Sequence, residues 1–430
     1  MLALINLNPA VEVALLGAAL AVLPAAWVLR RGRQQGLQGW PAWQRVLTVA
    51  TLFLTLDLVV FGAFTRLTDS GLGCPDWPGC YGELSPFQAH SDISAAQAAL
   101  PGGPVTHGKA WIEMLHRYLA TGVGALITAL MLLAWRMRHA GGLSPWWATA
   151  TFVWVCAQGA FGALTVTLKL QPIIVTGHLL GAVLGVAMLT AQVRVLSPRL
   201  RWPGHAAEGA ARGAADTLDA AWAGAGLRRV GLAVLLLLVV QIASGAWVST
   251  NYAVLACSEF PTCQGQWWPD TDFRAGFHLL RPLGGDSEAG YLTLAGLTAI
   301  HLAHRCLALV VALALATYAW RLGRWQVGVD LGGDLGGARP WRREARVLVG
   351  LLLWQLASGL SNVVLGWPLV AALAHTLGAA LLVAWLVRLW VLPRGAIGHL
   401  AHAGQQVHPG HAKPARHQGH HPGAAHPTAS

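Results

Sequence analysis

Hydrophobic residues fall into nine long stretches, at about 11–29, 46–65, 110–135, 146–168, 172–195, 229–250, 291–320, 346–366 and 368–392. At 1.5 Å per residue, each is long enough to cross a ~30 Å hydrocarbon layer as a helix. Polar and apolar residues do not alternate inside them, which excludes the period-two pattern of a transmembrane barrel. The pattern predicts an all-α polytopic membrane protein. Two long polar intervals, at about 66–108 and 251–290, carry Trp77, Trp267 and Trp268, residues suited to a membrane interface.

The stretches are not independent. Gly62-Ala63, Cys74, Cys80 and Gly82 recur at Gly245-Ala246, Cys257, Cys263 and Gly265, an offset of 183 residues without a gap. His116-Arg117 returns as His304-Arg305, and Gln158, Gly162 and His178 return as Gln355, Gly359 and His375. The first stretch stands apart from this duplication, leaving eight helices, four per repeat. An even number of spans makes both repeats enter from the same side. The predicted fold is two pseudo-symmetric four-helix transmembrane bundles in parallel repeat, plus one extra N-terminal span. The divisions expected are 1–44 (extra span and linker), 45–196 (first repeat), 197–228 (cytoplasmic linker), 229–392 (second repeat) and 393–430 (disordered His-rich tail).

Composition agrees with the hydropathy pattern. Of 430 residues 55% are hydrophobic and 11% charged, against roughly 25% charged in soluble domains. Mean hydropathy is +0.51. A net charge of +11 would suit a nucleic-acid partner, but its placement excludes one. Of the 29 Lys and Arg, five (Arg66, Lys109, Lys169, Arg274, Arg281) lie on the side of the cysteine loops and two (Arg117, Arg305) within spans, leaving 22 on the other side. This positive-inside bias places the N-terminus and the cysteine loops outside and the C-terminus in the cytoplasm. Arg30, Arg31 and Arg33 follow the first stretch rather than precede it, so it reads as an uncleaved span and not a signal peptide. No Arg- and Ser-rich transit segment opens the chain, which favours a bacterial plasma membrane.

Four histidines carry the chemistry. His116 and His304 fall in the second helix of each repeat, His178 and His375 in the fourth. Ionisable groups in a bilayer are expensive and mark function. Facing imidazoles on two helices are what a haem iron with two axial histidines requires. The bland alternative is a hydrogen bond between helices. Arg117 and Arg305 follow the second-helix histidines and are candidates for haem propionates, or else pair with a loop acid or reach the interface. Glu113 lies one turn from His116, on the same face, where the second repeat has His301. That asymmetry suggests one catalytic half and one electron-supplying half. The alternative is a structural Glu113 paired with Arg117 or Lys109, and His301 rivals His304 as a ligand. Cys74–Cys80 and Cys257–Cys263 are expected disulfides on the oxidising side, with a redox role as the sharper alternative. Cys156 and Cys306 read as small apolar fillers, and His90, His107 and His278 as surface residues.

Phe64-Thr65-Arg66-Leu67-Thr68-Asp69-Ser70-Gly71-Leu72-Gly73-Cys74-Pro75-Asp76-Trp77-Pro78 resembles the first outside loop of haem A synthases. Glu113-Met114-Leu115-His116-Arg117 resembles their E-x-x-H-R helix, and the likeness runs over about 45–392. The resemblance implies an enzyme of cytochrome oxidase assembly that oxidises the C8 methyl of haem O to the formyl group of haem A, with oxygen from water. It implies His116 and His178 on the substrate haem, His304 and His375 on a haem b cofactor, and Glu113 as the residue required for oxidation. It matches both cysteine pairs, although Ser258, Glu259 and Phe260 replace Pro75, Asp76 and Trp77 in the second loop. The implied partners are haem O as substrate, haem O synthase, cytochrome oxidase assembly factors and membrane lipid, with a homo-oligomer left open. A dihaem b-type electron carrier without haem-modifying activity is the alternative, and a transporter or haem-delivery scaffold a third reading. The topology is testable by labelling: a cysteine introduced at about 90 is expected to react with a membrane-impermeant maleimide in intact cells, and one placed in the tail only after lysis.

Overall fold

A bilayer offers the backbone no hydrogen-bond partners, so each apolar stretch closes its own ladder as an α-helix. The computed structural model describes residues 8–197, 225–280, 292–324 and 340–391. In chain order, leaving aside single turns at Ala253–Ala256 and Phe273–Gly276, the helices are α1 (Asn8–Gln34), α2 (Trp40–Leu67), α3 (His90–Ala99), α4 (His107–Arg136), α5 (Pro145–Thr167), α6 (Pro172–Leu196), α7 (Ala225–Thr250), α8 (Leu294–Arg324), α9 (Pro340–Val364) and α10 (Leu369–Trp390). Among the described residues, nine helices are long and apolar enough to span a membrane, matching the nine stretches read from hydropathy. The tenth, α3, lies in the first long loop and was hidden by that loop's polar composition. No strand occurs among the described residues beyond isolated bridges at Cys80–Glu83 and Cys263–Gln266. The linker at 198–224, the Gly-rich stretch at 327–339 and the tail at 393–430 lie outside the described residues.

Local sequence sets the helix starts. Proline occupies the first turn of α2, α5 and α6, where a missing N–H goes unnoticed. Thr106 caps α4, its hydroxyl accepting from the Lys109 N–H at 3.2 Å. Within the spans, threonine hydroxyls return to the carbonyl one turn back, as Thr48 does to Gln44 and Thr55 to Thr51, each at 2.7 Å.

α4 packs on α1, α2 and α5; α6 packs on α2, α5, α7 and α10. α8 packs on α7 and α9, and α10 on α2, α6, α7 and α9. Val59, Val186 and Ala380 bring α2, α6 and α10 together at the centre. A larger apolar core joins Val183, Leu238, Leu315, Leu348 and Leu382. At the cysteine-loop end, residues separated by 183 positions touch each other. Arg66 donates to the carbonyl of Ser249, and the Tyr252 hydroxyl donates to Asp69 Oδ1 at 2.6 Å. The Arg66 guanidinium lies 4.1 Å from the centre of the Tyr252 ring. Burial raises the Tyr252 phenol above its ordinary range, against the pull of Arg66, so it remains a donor to Asp69 at neutral pH.

The extra span, α1, lies along α4. Its Gly17 passes so close to Thr121 that a Cβ would collide with it, and Gly122 faces the Gly17 carbonyl. Small residues at such a crossing let two membrane helices approach closely. Nearer the loop, Val13 joins the buried cluster of Cys74, Cys80, Ile93, Met114 and Tyr118. Cys156 and Cys306 correct one expectation. They are free and exposed on α5 and α8, so they face outward and fill no core. Replacing Gly17→Leu is expected to force α1 off α4 and lower stability by about 1–3 kcal/mol, the usual range for overpacking, read as an earlier thermal transition in detergent.

Candidate functional site

Each of the four repeat-matched histidines lies against a glycine of the adjacent helix. A Cβ on Gly62 of α2 would sit 3.0 Å from His116 Nε2, and one on Gly162 of α5 would sit 3.6 Å from His178 Cε1. In the second repeat, a Cβ on Gly245 would lie 3.0 Å from His304 Cε1, and one on Gly359 3.0 Å from His375 Cε1. Gly62, Gly245 and Gly359 therefore make room for their imidazoles, Gly162 lies in ordinary contact range of His178, and all four belong to the duplicated positions. His116 and His178 lie within electrostatic range of each other, as do His304 and His375. Among the described residues no three His, Cys, Asp or Glu side chains converge as a metal-ion site. Each site offers a pair of imidazoles, and a porphyrin supplies the four equatorial nitrogens that such a pair lacks. His178 Nδ1 is buried without a hydrogen-bond partner. The donor set, two imidazoles per repeat on different helices with no third ligating side chain among the described residues, fits an iron porphyrin.

The two pairs differ in what surrounds them. In the second repeat, Ser244 Oγ lies 2.7 Å from His304 Nδ1 and Ser358 Oγ 3.1 Å from His375 Nδ1. Gln241 Nε2 adds a contact at 3.1 Å to His304 Nδ1, and Gln355 Nε2 lies 3.2 Å from His375 Nε2. In the first repeat, the positions matching Ser244 and Ser358 are Phe61 and Phe161. Phe61 stacks on the His116 ring, centroids 6.3 Å apart and planes 7° apart. Sequence reasoning passed over these four residues because it compared what the repeats share. A residue-by-residue subtraction of one repeat from the other would have found them.

Glu113 and Arg117 meet one turn from His116. Arg117 Nη2 donates to Glu113 Oε1 at 2.5 Å, and both side chains are buried. Glu113 Oε2 accepts from the Cys74 N–H at 2.8 Å. Arg117 Nη1 also donates to the carbonyls of Gly79 at 2.5 Å and Pro78 at 3.2 Å. The pair thus clamps both ends of the first cysteine loop onto α4. The loop comes so near that a Cβ on Gly73 would sit 2.5 Å from the Lys109 backbone. The pairing of Glu113 with Arg117, one of the two arrangements open from the sequence, is the one adopted. Arg305 repeats the anchoring, donating to the carbonyls of Thr262 at 3.1 Å and of Cys257 and Glu259 at 2.9 Å. Its Nε meets His301 Nε2 at 3.3 Å, so His301 faces Arg305 while His304 faces Gly245. A propionate at either arginine would share it with these loop carbonyls.

Cys74 and Cys80 are bonded, Sγ–Sγ 2.04 Å, as are Cys257 and Cys263 at 1.99 Å. All four are buried. His107 opens α4, its ring 4.4 Å from that of His90 and its Nε2 3.0 Å from Ser94 Oγ. Neither ring is placed with the four matched histidines.

Comparison with known proteins places these features. A family model for cytochrome oxidase assembly proteins matches residues 45–387. The chain is 37% identical over 338 residues to the Heme A synthase of Shewanella oneidensis, covering 78% of this chain and 92% of that protein. It is 27% identical to the Heme A synthase of Rhizorhabdus wittichii, covering 83% and 93%, and 25% identical to that of Halalkalibacterium halodurans, covering 75% and 87%. All four histidines, Glu113 and both cysteine pairs lie inside the matched region, and α1 lies outside it. Arg117→Ala leaves Glu113 buried and unpaired, and is expected to lower stability by about 3–5 kcal/mol. Replacing both partners by leucine is expected to recover most of that loss. Thermal denaturation of the two purified variants checks both outcomes.

Proposed function

The chain belongs to the COX15-CtaA family of cytochrome oxidase assembly proteins, and from that premise we propose that it converts haem O to haem A in the membrane, oxidising the C8 methyl to a formyl group. The first repeat, 45–196, takes the substrate haem between His116 and His178. The second, 229–392, holds haem b between His304 and His375. The observation that carries the assignment is the exchange of Ser244 and Ser358 for Phe61 and Phe161. A hydroxyl beside Nδ1 orients the ring, and such partners strengthen a ligand; the Gln241 and Gln355 amides, which lie 3.4 and 3.2 Å from Nε2, would give way there to the iron. That suits a resident cofactor. An imidazole stacked on one phenyl ring, as His116 is, or left without a partner on Nδ1, as His178 is, is held less firmly, which suits a substrate that must leave.

The helices of each repeat form a four-membered ring of neighbours. Residues 183 positions apart touch at Arg66–Ser249 and Asp69–Tyr252, as they must where a twofold axis passes. Both support a parallel repeat of two pseudo-symmetric bundles, with its axis between α2 and α7. The cysteine loops face outside, the N-terminus lies outside and the C-terminus in the cytoplasm of a plasma membrane. Haem O synthase delivers the substrate, and the product passes to cytochrome oxidase assembly factors.

When bound, haem b supplies a one-electron centre able to carry reducing equivalents away from the substrate side. The chain's own residues do the rest. His116 and His178 orient the substrate. Glu113, a turn away on the same face as His116, takes up the proton released on oxidation. Arg117 and the Cys74 amide hold that carboxylate in place. The disulfide-closed loop packs over Glu113 and keeps bulk water away from it. The family membership does not favour a carrier that leaves haem unmodified.

Glu113→Ala is expected to retain bound haem but stop haem A formation, with pigment accumulating at the alcohol. Extraction of pigments and identification by mass tests this, and a normal haem A yield from that variant would overturn the role of Glu113. His375→Ala is expected to lose haem b selectively, seen as the loss of its absorption band while haem O remains extractable.

A further inference from the structure

Asp57 is a carboxylate in the middle of a membrane helix. It lies ten residues from the Leu67 end of α2, about 15 Å along the axis. It is exposed on the surface of the chain, and no hydrogen bond, ion pair or ring contact reaches it among the described residues. The other acid within the matched spans near this depth, Glu113, is buried and doubly engaged. A charged group facing hydrocarbon without a partner is costly, and a position that keeps one does so for a ligand or a neighbour.

Position and asymmetry name the ligand. Asp57 lies one helical turn before Phe61, hence on the same face, and Phe61 stacks on His116. α2 and α4 run antiparallel, so Glu113 and Asp57 lie on opposite sides of His116 along the membrane normal, Glu113 toward the cysteine loops. The residue matching Asp57 in the second repeat is Val240, which is also exposed. The acid thus belongs to the half read as taking haem O and is absent from the half read as holding haem b. Those two macrocycles differ by one side chain. Haem O carries a hydroxylated farnesyl chain where haem b carries a vinyl group. The farnesyl carbons are at home along an exposed apolar helix face, and the hydroxyl beside the ring is the one group that such a face leaves unsatisfied. A carboxylate is an acceptor for it.

We propose that Asp57 is a specificity-determining residue that accepts a hydrogen bond from the hydroxyl of the substrate's farnesyl side chain, and so selects haem O over haem b at the His116–His178 site. The proposal rests on the reading of the first repeat as the substrate half. A site with an acceptor placed for a hydroxyl discriminates strongly against the analogue that lacks it.

The test compares wild type, Asp57→Val and Asp57→Asn, purified whole from cells that make both haem b and haem O, with pigments quantified by mass. Haem b at the second site is an internal standard, and removing an exposed charge from a span does not threaten folding. Asp57→Val is expected to bring the first site toward haem b and to weaken haem O uptake in titration roughly ten- to a hundredfold, the range for a hydrogen bond to a charged acceptor. Asp57→Asn, which keeps an acceptor oxygen, is expected to retain most of the preference. An unchanged pigment ratio and haem O titration in Asp57→Val overturns the proposal, and so does a change of oligomeric state with unchanged pigments, which would assign Asp57 to a subunit contact. Wild-type protein that takes up no haem O would sink the substrate reading and this inference together, whereas uptake by wild type with an indifferent Asp57→Val sinks this inference alone.

Discussion

Hydrocarbon leaves no polar atom to water, and that constraint organises the whole molecule. It forces the backbone into helices and turns the threonine hydroxyls of α2 back onto their own carbonyls. It also makes every imidazole in a span a packing problem. The solution is the same three times: at His116, His304 and His375 a glycine on the neighbouring helix opens the space that the ring enters. The bulkier the residue at that position, the farther apart the helices would stand, so the glycines fix both the helix spacing and the depth of the histidines.

The two halves of the sequence repeat many positions and depart from each other at a few. Arg117 and Arg305 anchor their loops through comparable carbonyls, and the disulfides occupy matching places. Against that background the differences are few. Glu113 stands where the second repeat has His301, Phe61 and Phe161 where it has Ser244 and Ser358, and Asp57 where it has Val240. The second repeat holds both imidazoles by polar side chains, whereas in the first His116 stacks on Phe61 and His178 Nδ1 has no hydrogen-bond partner.

Much of this is legible in the sequence. The nine spans followed from run length, because few other structures tolerate such apolar stretches. The four histidines followed from their recurrence in register. Helix faces were harder to read. The spans are apolar all round, so no stripe distinguishes lipid from core, and Cys156 and Cys306 were assigned inward when they face out. α3 escaped because His90–Ala99 is short and polar and owes its helix to packing of Ile93 against the disulfide cluster. The Glu113–Arg117 pair was one of two options, and only the approach of the loop backbone to α4 decides between them.

The close crossing of α1 and α4 bears on how the chain is made. Gly17 meets Thr121 across a gap of sequence that includes an entire intervening span and the disulfide loop. A ribosome threading this chain into the bilayer therefore releases α1 before α4, the helix it chiefly packs on, and in the interval α1 has only its smaller contact with α2. It must loiter beside the insertion machinery until α4 arrives, and only then does the first sulfur bridge acquire its apolar shelter from Val13. Assembly of the first four-helix group is thus staged by a helix that lies outside the region matched to the family.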